Sequence, residues 1–174
     1  MEKIILEDYE INRDTVALQP TTHTDYYTIV FERDQILHVK KTPLQLIKPA
    51  CLEGGASYNG RREAVIYQTG TKSKVPIPIS PRENIYAFPT HSPDNFECSW
   101  IFYHHVKSIK KDPKIPNQTI ITFKNNNTLT LNLSFSSIEK QMQRTSQCIV
   151  GYLQKFVSMP LPSEYGGMFN FGWS

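Results

Sequence analysis

The sequence predicts an α+β fold: a mostly antiparallel sheet of short strands, one short helix in the N-terminal half and one long helix near the C-terminus. Twelve prolines and frequent alternation of β-branched with polar residues favour short strands over a helical bundle. The signals of a helix start occur early, and late in the chain apolar residues recur at helical spacing. A chain of 174 residues forms a core without a disulfide or metal.

Nine short strands follow from the alternation of apolar and polar residues. They are residues 15–18, 27–32, 35–39, 64–67, 75–79, 84–88, 100–109, 119–123 and 128–133. The second and third form a hairpin that turns at Arg33 and Asp34. Segment 75–79 contains two prolines, which cannot donate ladder hydrogen bonds, so it is an edge strand or an extended segment. The last two strands form the clearest hairpin, because residues 125–127 are asparagines that tolerate left-handed backbone angles.

The short helix begins at Thr42 and Pro43, an N-cap followed by proline at the first helical position. Pro49 is expected to end or bend it, and two glycines, residues 54 and 55, close the segment. Residues 57–62 then read as a turn. Lysines 72 and 74 lie in a second turn.

The long helix is predicted from Ser136, which forms a capping box with Glu139, to the region before Pro160. Its apolar face consists of Ile138, Met142, Thr145, Ile149, Tyr152, Leu153 and Phe156. Its polar face consists of Lys140, Gln141, Arg144, Gln147 and Lys155. We expect one domain, residues 1–157, followed by a tail, residues 158–174, rich in proline, glycine and aromatic residues.

The predicted core contains large apolar side chains from several elements. These are Trp100, Phe123, Leu131, Ile149 and Phe156. Cys51 and Cys98 are expected to be small buried hydrophobic residues. Three widely spaced cysteines with no CxxC pair argue against a disulfide framework, and acidic residues interrupt the N-terminal apolar stretch. Together with the absence of any long apolar run, these features favour a cytoplasmic protein.

The charge is distributed unevenly along the chain. Residues 1–38 contain three basic and eight acidic side chains, whereas residues 39–174 contain sixteen basic and eight acidic ones. The larger part is therefore basic and attracts polyanions, of which nucleic acid is the commonest in a cytoplasm. The alternative is a solubilising surface with an acidic N-terminal segment across it.

Metal and catalytic sites are not indicated. His91, Cys98, His104 and His105 lie close in sequence, but adjacent residues of a strand point to opposite faces, so the set cannot converge on zinc. The sequence contains no GxSxG motif and no phosphate-binding glycine loop. An enzyme acting on nucleic acid would need clustered carboxylates, and those at positions 94, 97 and 112 are scattered. We therefore expect no enzyme activity and no cofactor or metal.

Basic side chains are concentrated at predicted turns and loops. The candidates for DNA contact are Tyr58, Asn59, Gly60, Arg61, Arg62, Lys72, Lys74, Lys107, Lys110, Lys124 and Arg144. Such side chains can reach phosphates and a groove floor, and arginine fits the narrow minor groove of A/T-rich DNA. No helix-turn-helix or zinc-finger pattern is visible, so DNA would be read with loops or strands. The alternative is that these are solvated hairpin tips.

The tail carries four large apolar residues, Met168, Phe169, Phe171 and Trp173. They could pack onto the domain or form an exposed peptide that a partner grips.

Four segments resemble the ComK family of competence transcription factors. The first two are residues 42–47 (TPLQLI) and residues 51–61, which run from Cys51 through the paired glycines to Ser-Tyr-Asn-Gly-Arg. The third consists of residues 88–90, 98–101 and 105–107. The fourth consists of Phe123, Asn125, Leu129, Leu131, Ser137, Glu139, Gln141, Arg144 and Thr145. The resemblance extends over about residues 5–156, and the motifs are specific when taken in this order.

The resemblance implies a transcriptional activator that binds paired A/T-rich boxes of promoter DNA through the minor groove and bends the duplex. It implies dimers that associate into tetramers, and control by an adaptor protein that delivers the activator to a Clp protease. Residues 168–171 only loosely resemble the family's adaptor-recognition peptide. An alternative is a non-activating paralogue or interaction module that docks a partner through its aromatic tail.

We expect Arg61 to insert into the groove beside Arg62, with Tyr58 and Asn59 shaping the loop and Gly60 adopting an angle that other residues disfavour. The five lysines would contact phosphates. Arg144 could face DNA or pair with an acid inside the dimer.

Overall fold

The computed structural model describes residues 2–157. The strands are β1 Ile5–Leu6, β2 Thr15–Pro20, β3 Thr28–Glu32, β4 Ile36–Val39, β5 Ile77–Ser80, β6 Ile85–Pro89, β7 Trp100–Phe102, β8 Val106–Lys111, β9 Thr119–Phe123 and β10 Thr128–Leu131. The helices are α1 Pro43–Glu53, α2 Tyr58–Thr69 and α3 Phe135–Val157. The predicted α+β class is confirmed. Among the described residues, no helix is long and apolar enough to span a membrane.

The strands form two sheets. The large sheet has seven strands in the order β1-β4-β3-β2-β7-β6-β5, and the small sheet has three in the order β10-β9-β8. Every pair is antiparallel except β1 with β4. Both predicted hairpins are confirmed, and β5 lies at the edge of its sheet as its prolines required.

Strand alternation directs the two faces of the large sheet into different cores. In β7, Trp100 and Phe102 point into the core under α1, whereas Ile101 points to the opposite face. On that face Ile101 packs with Ile121 of the small sheet and Ile138 of α3. A third cluster joins α2, α3 and β6. The small sheet and α1 therefore lie on opposite faces of the large sheet.

Residues 57–70 differ from the prediction, which had a turn and a strand here. They form α2 because Ser57 caps it, its Oγ accepting from the Gly60 amide at 3.0 Å. Gly70, at φ 73°, ends the helix by donating to the Ile66 carbonyl at 2.9 Å. The apolar run 64–67 is too short for its period to separate strand from helix, and the two cap residues decide it. Gly60 is helical and does not adopt the left-handed backbone that we expected.

The long strand predicted at residues 100–109 is two strands in two sheets. A 3₁₀ turn, Tyr103–His105, separates β7 from β8. The side chain of His105 leaves the strand line, and its Nε2–H donates to the Arg13 carbonyl at 2.7 Å. Residues 100–109 contain no glycine, proline or asparagine, so the sequence carries no turn signal at the break.

Pro49 does not end α1, which runs on to Glu53. Proline at this seventh helical position removes the hydrogen bond to the Gln45 carbonyl. The predicted N-cap is present and forms a capping box, with Thr42 Oγ accepting from the Gln45 amide and Gln45 Oε1 from the Thr42 amide. Burial of Leu46, Ile47, Ala50 and Cys51 against the sheet outweighs the missing bond.

The start of α3 lies one residue before the predicted cap. The helix begins at Phe135, and the Ser134 hydroxyl, rather than that of Ser136, accepts from the Ser137 amide at 3.3 Å. Leu153 is exposed, whereas Gln141, predicted on the polar face, is buried. The Gln141 Nε2 donates to the Lys74 carbonyl at 2.9 Å and the Pro89 carbonyl at 2.7 Å. Gln141 therefore joins α3 to β6 and to the α2–β5 loop.

The predicted core is confirmed for Trp100, Phe123, Leu131 and Ile149, and Cys51 and Cys98 are buried. The side chain of Phe156 lies outside the described part of the structure.

Replacing Gln141 with alanine is expected to lower the free energy of unfolding by about 1–3 kcal/mol, because the buried Pro89 carbonyl and the partly buried Lys74 carbonyl lose their donor. Urea unfolding followed by circular dichroism measures the loss. Gln143→Ala makes the same change at an exposed site of the same helix and should cost about 0.5 kcal/mol or less. Equal losses in the two variants would contradict the bridging role of Gln141.

Candidate nucleic-acid interface

The outer face of the small sheet is polar and positively charged. In β9 and β10 the residues packed into the core alternate with residues that face solvent. In β8 a bulge between Val106 and Ser108 interrupts this alternation, and Val106 and Ile109 pack on the core. The register places Ser108, Thr122 and Thr128 side by side in one outward row. The next outward row contains Lys110, Ile120 and Thr130. Hydroxyl and ammonium groups donate hydrogen bonds to phosphate oxygens, so the chemistry of these two rows suits a polyanion.

The tip of the β9–β10 hairpin continues this face. Asn126 adopts the left-handed conformation at φ 67°, and its Oδ1 accepts from the Lys107 Nζ at 3.1 Å. The Asn125 Nδ2 donates to the Arg33 carbonyl at 3.0 Å, which holds the tip against the β3–β4 turn. Lys124 at the tip is exposed. The tip therefore presents ammonium and amide groups from a fixed loop.

The lysines of this region have no carboxylate partners, unlike basic residues near the N-terminus. Ion pairs join Arg33 to Asp14 at 2.6 Å, Lys40 to Glu7 at 2.6 Å and Lys41 to Asp8 at 3.1 Å. Within residues 2–157 no carboxylate lies within 4.0 Å of the lysines at positions 107, 110, 111 and 124. The acidic N-terminal segment thus neutralises its own neighbours and leaves the small sheet positively charged.

The Lys124 ammonium acts electrostatically on the two histidines of the 3₁₀ turn. Burial is the main cause that lowers the pKa of both His104 and His105, and the Lys124 ammonium lowers it further. Both imidazoles are therefore neutral at pH 7.

We name residues Lys107, Ser108, Lys110, Thr122, Lys124, Asn126, Thr128 and Thr130 the hairpin face. Sequence reasoning identified its three lysines and placed Asn126 at the hairpin tip with Lys124, but it did not identify the four hydroxyl residues. The signal for its three threonines was the alternation of threonine with apolar residues in residues 119–131, which marks the solvent side of a half-buried hairpin.

Arg61 lies elsewhere and is bound to the protein. Its Nη2 donates to the Gly54 carbonyl at the end of α1, at 2.8 Å. Its Nε is buried and has no hydrogen-bond partner in the described part of the chain. The guanidinium thus lies where the helix dipole of α1 is negative, and groove insertion would require it to leave this position. Neighbouring Arg62 is half-buried.

Of the other residues in the first turn of α2, one is buried and two are exposed. Tyr58 belongs to the core under α1 and packs edge-on against Trp100, with ring centroids 6.4 Å apart. Asn59 and Gly60 are exposed. A side chain in place of Gly60 would put its Cβ 3.0 Å from the Ser57 Oγ. Since Tyr58 packs under α1 and the small sheet packs on the opposite face, the structure does not bring this turn together with the hairpin face.

The α2–β5 loop carries Lys72, which is exposed, and Lys74, which has φ 50°. Arg144 reaches this loop from α3. Its Nη1 donates to the Gln141 Oε1 at 3.2 Å and the Ser73 carbonyl at 3.4 Å. Within the described residues Arg144 forms no ion pair, and its contacts are with the loop and Gln141.

The described residues do not provide a set of metal ligands. Among residues 2–157, no three histidine, cysteine or acidic side chains are grouped as metal ligands would be. His104 and His105 lie in a 3₁₀ turn rather than on the two faces of one strand. Burial raises the pKa of the Cys51 thiol to about 11 and that of the Cys148 thiol to about 12. Both cysteines are therefore protonated at neutral pH.

The aromatic tail residues at positions 168, 169, 171 and 173, proposed to bind a partner or the protease adaptor, lie outside the described residues. That role stays a prediction.

Replacing Arg61 with alanine is expected to lower the free energy of unfolding by about 1–3 kcal/mol, because the Gly54 carbonyl loses a charged donor. Arg62→Ala is the matched control, since no hydrogen bond or ion pair of its side chain is seen in the described structure. We expect it to change the free energy by about 0.5 kcal/mol or less. Denaturant unfolding compares the two, and an unchanged Arg61→Ala variant would remove the structural role.

Stability is expected to fall as the pH drops from 7.5 to 5.5. His91, His104 and His105 have folded-state pKa values below 6.5, mainly because of burial. The unfolded chain therefore binds more protons in this range, and its population rises as the pH decreases. Urea unfolding at the two pH values should show a smaller decrease for His91→Gln/His104→Gln. An equal decrease would assign the effect to other groups.

Comparison with known proteins agrees with the family resemblance. The model of the family described as ComK protein matches residues 6–156. A curated relative, the competence transcription factor of Bacillus subtilis (strain 168), is 34% identical over 142 residues. That alignment covers 81% of this chain and 73% of the relative. No solved structure matches the chain.

Proposed function

The chain belongs to the ComK protein family, a family of transcription regulators, and from that premise we propose that it binds A/T-rich promoter DNA through the hairpin face. The observation that carries the proposal is the set of lysines at positions 107, 110 and 124, which have no carboxylate partner in the described structure. A polyanion is the natural partner for charges that the fold leaves uncompensated.

The two parts of the hairpin face have different tasks in this proposal. Lys107, Lys110 and the hydroxyl residues contact backbone phosphates and fix the register of the protein on the duplex. The tip, with Lys124 and Asn126, enters the minor groove, where amide and ammonium donors meet the acceptors of A·T pairs. A/T tracts favour this insertion, because their minor groove is narrow and its negative potential deep. No helix is needed in the major groove.

Arg61 has a different task from the one that the sequence suggested. Its bond to Gly54 supports a positioning role at the α1–α2 junction, and Tyr58 supports the core beneath. Asn59, Gly60 and Arg62, on the other side of the large sheet, are available to a second duplex segment only if the DNA bends around the protein. Lys72, Lys74 and Arg144 adjoin α3 and extend the basic surface.

Two copies on paired boxes would place two hairpin faces along one duplex. We propose a dimer that associates further on DNA and bends it, because each tip that enters a minor groove widens it. The site of action would be the nucleoid.

Fluorescence anisotropy with two duplexes of equal length, one with paired A/T tracts and one G/C-rich, tests the proposal. We expect tighter, salt-sensitive binding to the A/T duplex and displacement of the protein by a minor-groove dye. Equal affinity for both duplexes would contradict groove selectivity.

Removing three charges from the hairpin face should weaken binding to all sequences. For Lys107→Gln/Lys110→Gln/Lys124→Gln we expect the slope of log affinity against log salt to become shallower by roughly 2–3, about 0.9 for each phosphate contact. The control, Lys40→Gln/Lys41→Gln/Lys48→Gln, removes the same charge near the acidic segment and should change the slope by less than one. Equal changes would show that net charge, not this face, drives binding.

A further inference from the structure

A cleft of about 470 Å³ is lined in part by His105, whose carbonyl accepts from the Lys124 amide of the β9–β10 hairpin at 2.9 Å. Three segments form it: the loop before β2, the turn before β6 and the 3₁₀ turn between β7 and β8. Its principal lining residues are Arg13, Arg82, Tyr86, Phe102, His104 and His105. Neither arginine belongs to the hairpin face or to the sequence-predicted site.

The two guanidinium groups are exposed and uncompensated. Within residues 2–157, neither Arg13 nor Arg82 has a carboxylate within 4.0 Å. Guanidinium groups bind phosphate through paired, charge-assisted hydrogen bonds, which ammonium groups cannot form with the same geometry. Arg13 and Arg82 line the same cleft, which places two groups of this chemistry at one site.

The loop that carries Arg13 is held in place. Its carbonyl accepts from the His105 Nε2 at 2.7 Å. On its two sides, the Asn12 Oδ1 accepts from the Asp14 amide at 2.8 Å, and the Thr15 Oγ accepts from the Asn12 amide at 3.0 Å. The backbone is therefore fixed while the side chain stays available. Pre-organisation of this kind reduces the entropy that a bound ligand must overcome.

The surroundings of the cleft also favour an anion. Lys124 is near enough to depress the pKa of both histidines, in addition to the effect of burial. Buried Tyr86 and Phe102 close the apolar side. A cleft of this size accommodates a pyrophosphate or a nucleotide.

We propose that this cleft is a phosphate-binding site in which Arg13 and Arg82 hold the phosphate oxygens. The phosphate can come from the backbone of bound DNA or from a free nucleotide. The proposal goes beyond duplex binding by the hairpin face, because a free phosphate ligand could occupy the cleft whether or not the chain binds DNA.

Carboxylates near the cleft oppose the ligand. The Asp14 carboxylate is close enough to counteract part of the lowering of the His105 pKa. Glu83 lines the same cleft, and the neighbouring cavity, which shares Arg82, carries Asp8, Glu10 and Glu53 as well. An anion therefore approaches from the side of the hairpin tip. Neutralising Glu83 should strengthen binding, so substitutions in this cleft have predictable effects in both directions.

Titration of the full chain with inorganic pyrophosphate, followed by calorimetry and by the imidazole NMR signals of His104 and His105, tests the proposal. We expect Arg13→Gln/Arg82→Gln to weaken binding about tenfold or more, and Glu83→Gln to strengthen it severalfold. Lys48→Gln/Lys114→Gln removes the same charge elsewhere and should leave it unchanged. Far-UV circular dichroism verifies that each variant is folded.

The source of the phosphate is decided by a second titration with an A/T-rich duplex. Loss of duplex affinity in the arginine variant assigns a backbone phosphate. Unchanged duplex affinity with lost pyrophosphate binding assigns a free nucleotide. If the arginine variant matches its lysine control with both ligands, the proposal is overturned. Lys107→Gln/Lys110→Gln, which leaves Lys124 in place, separates the two proposals, because it should lose duplex affinity and retain pyrophosphate binding.

Discussion

The architecture depends on the break between β7 and β8, where the chain leaves one sheet and enters another. Three residues, Tyr103–His105, form a 3₁₀ turn instead of continuing the strand. The His105 side chain holds the turn by donating to the Arg13 carbonyl across 92 positions of sequence. Because of this turn, the following strand pairs with β9 rather than with the large sheet, and its lysines face solvent. The hairpin face lies next to this turn, and so does the cleft lined by Arg13 and Arg82.

Charge is separated by the same topology. The acidic N-terminal segment pairs along the β4 edge, where Glu7 and Asp8 meet the lysines that follow the strand. The Glu7 contact raises the pKa of Lys40, and the Lys41 contact lowers that of Asp8, as expected for opposite charges in contact. These exposed pairs add little stability. These pairs keep the carboxylates of Glu7 and Asp8 near the β4 edge. The positive charge of the small sheet is therefore not neutralised by them.

Much of the fold was predictable from local signals, and the exceptions have physical causes. The β9–β10 hairpin and the cap of α1 were found because turn asparagines, Thr42 and Pro43 act within a few residues, whereas the cap of α3 was placed at Ser136 instead of Ser134. The helix α2 was missed because its apolar run is short, although Ser57 and Gly70 at its ends were informative. The break at residues 103–105 depends on a contact with residue 13, which no local pattern shows. The groove role of Arg61 stays a prediction, and its bond to the Gly54 carbonyl could not be foreseen because the sequence does not distinguish an arginine that caps a helix from one that binds DNA. The lysines were identified correctly as exposed, and their common face required the sheet register.

The most direct measurement is amide chemical-shift mapping of the isotopically labelled chain on addition of an A/T-rich duplex. The central claim is that DNA meets the hairpin face on the outer side of the small sheet. It predicts the largest shift changes in residues 106–111 and 119–131, with α1 and the first turn of α2 little affected. Changes concentrated in residues 57–62, with the small sheet unperturbed, would contradict it and return Arg61 to the interface.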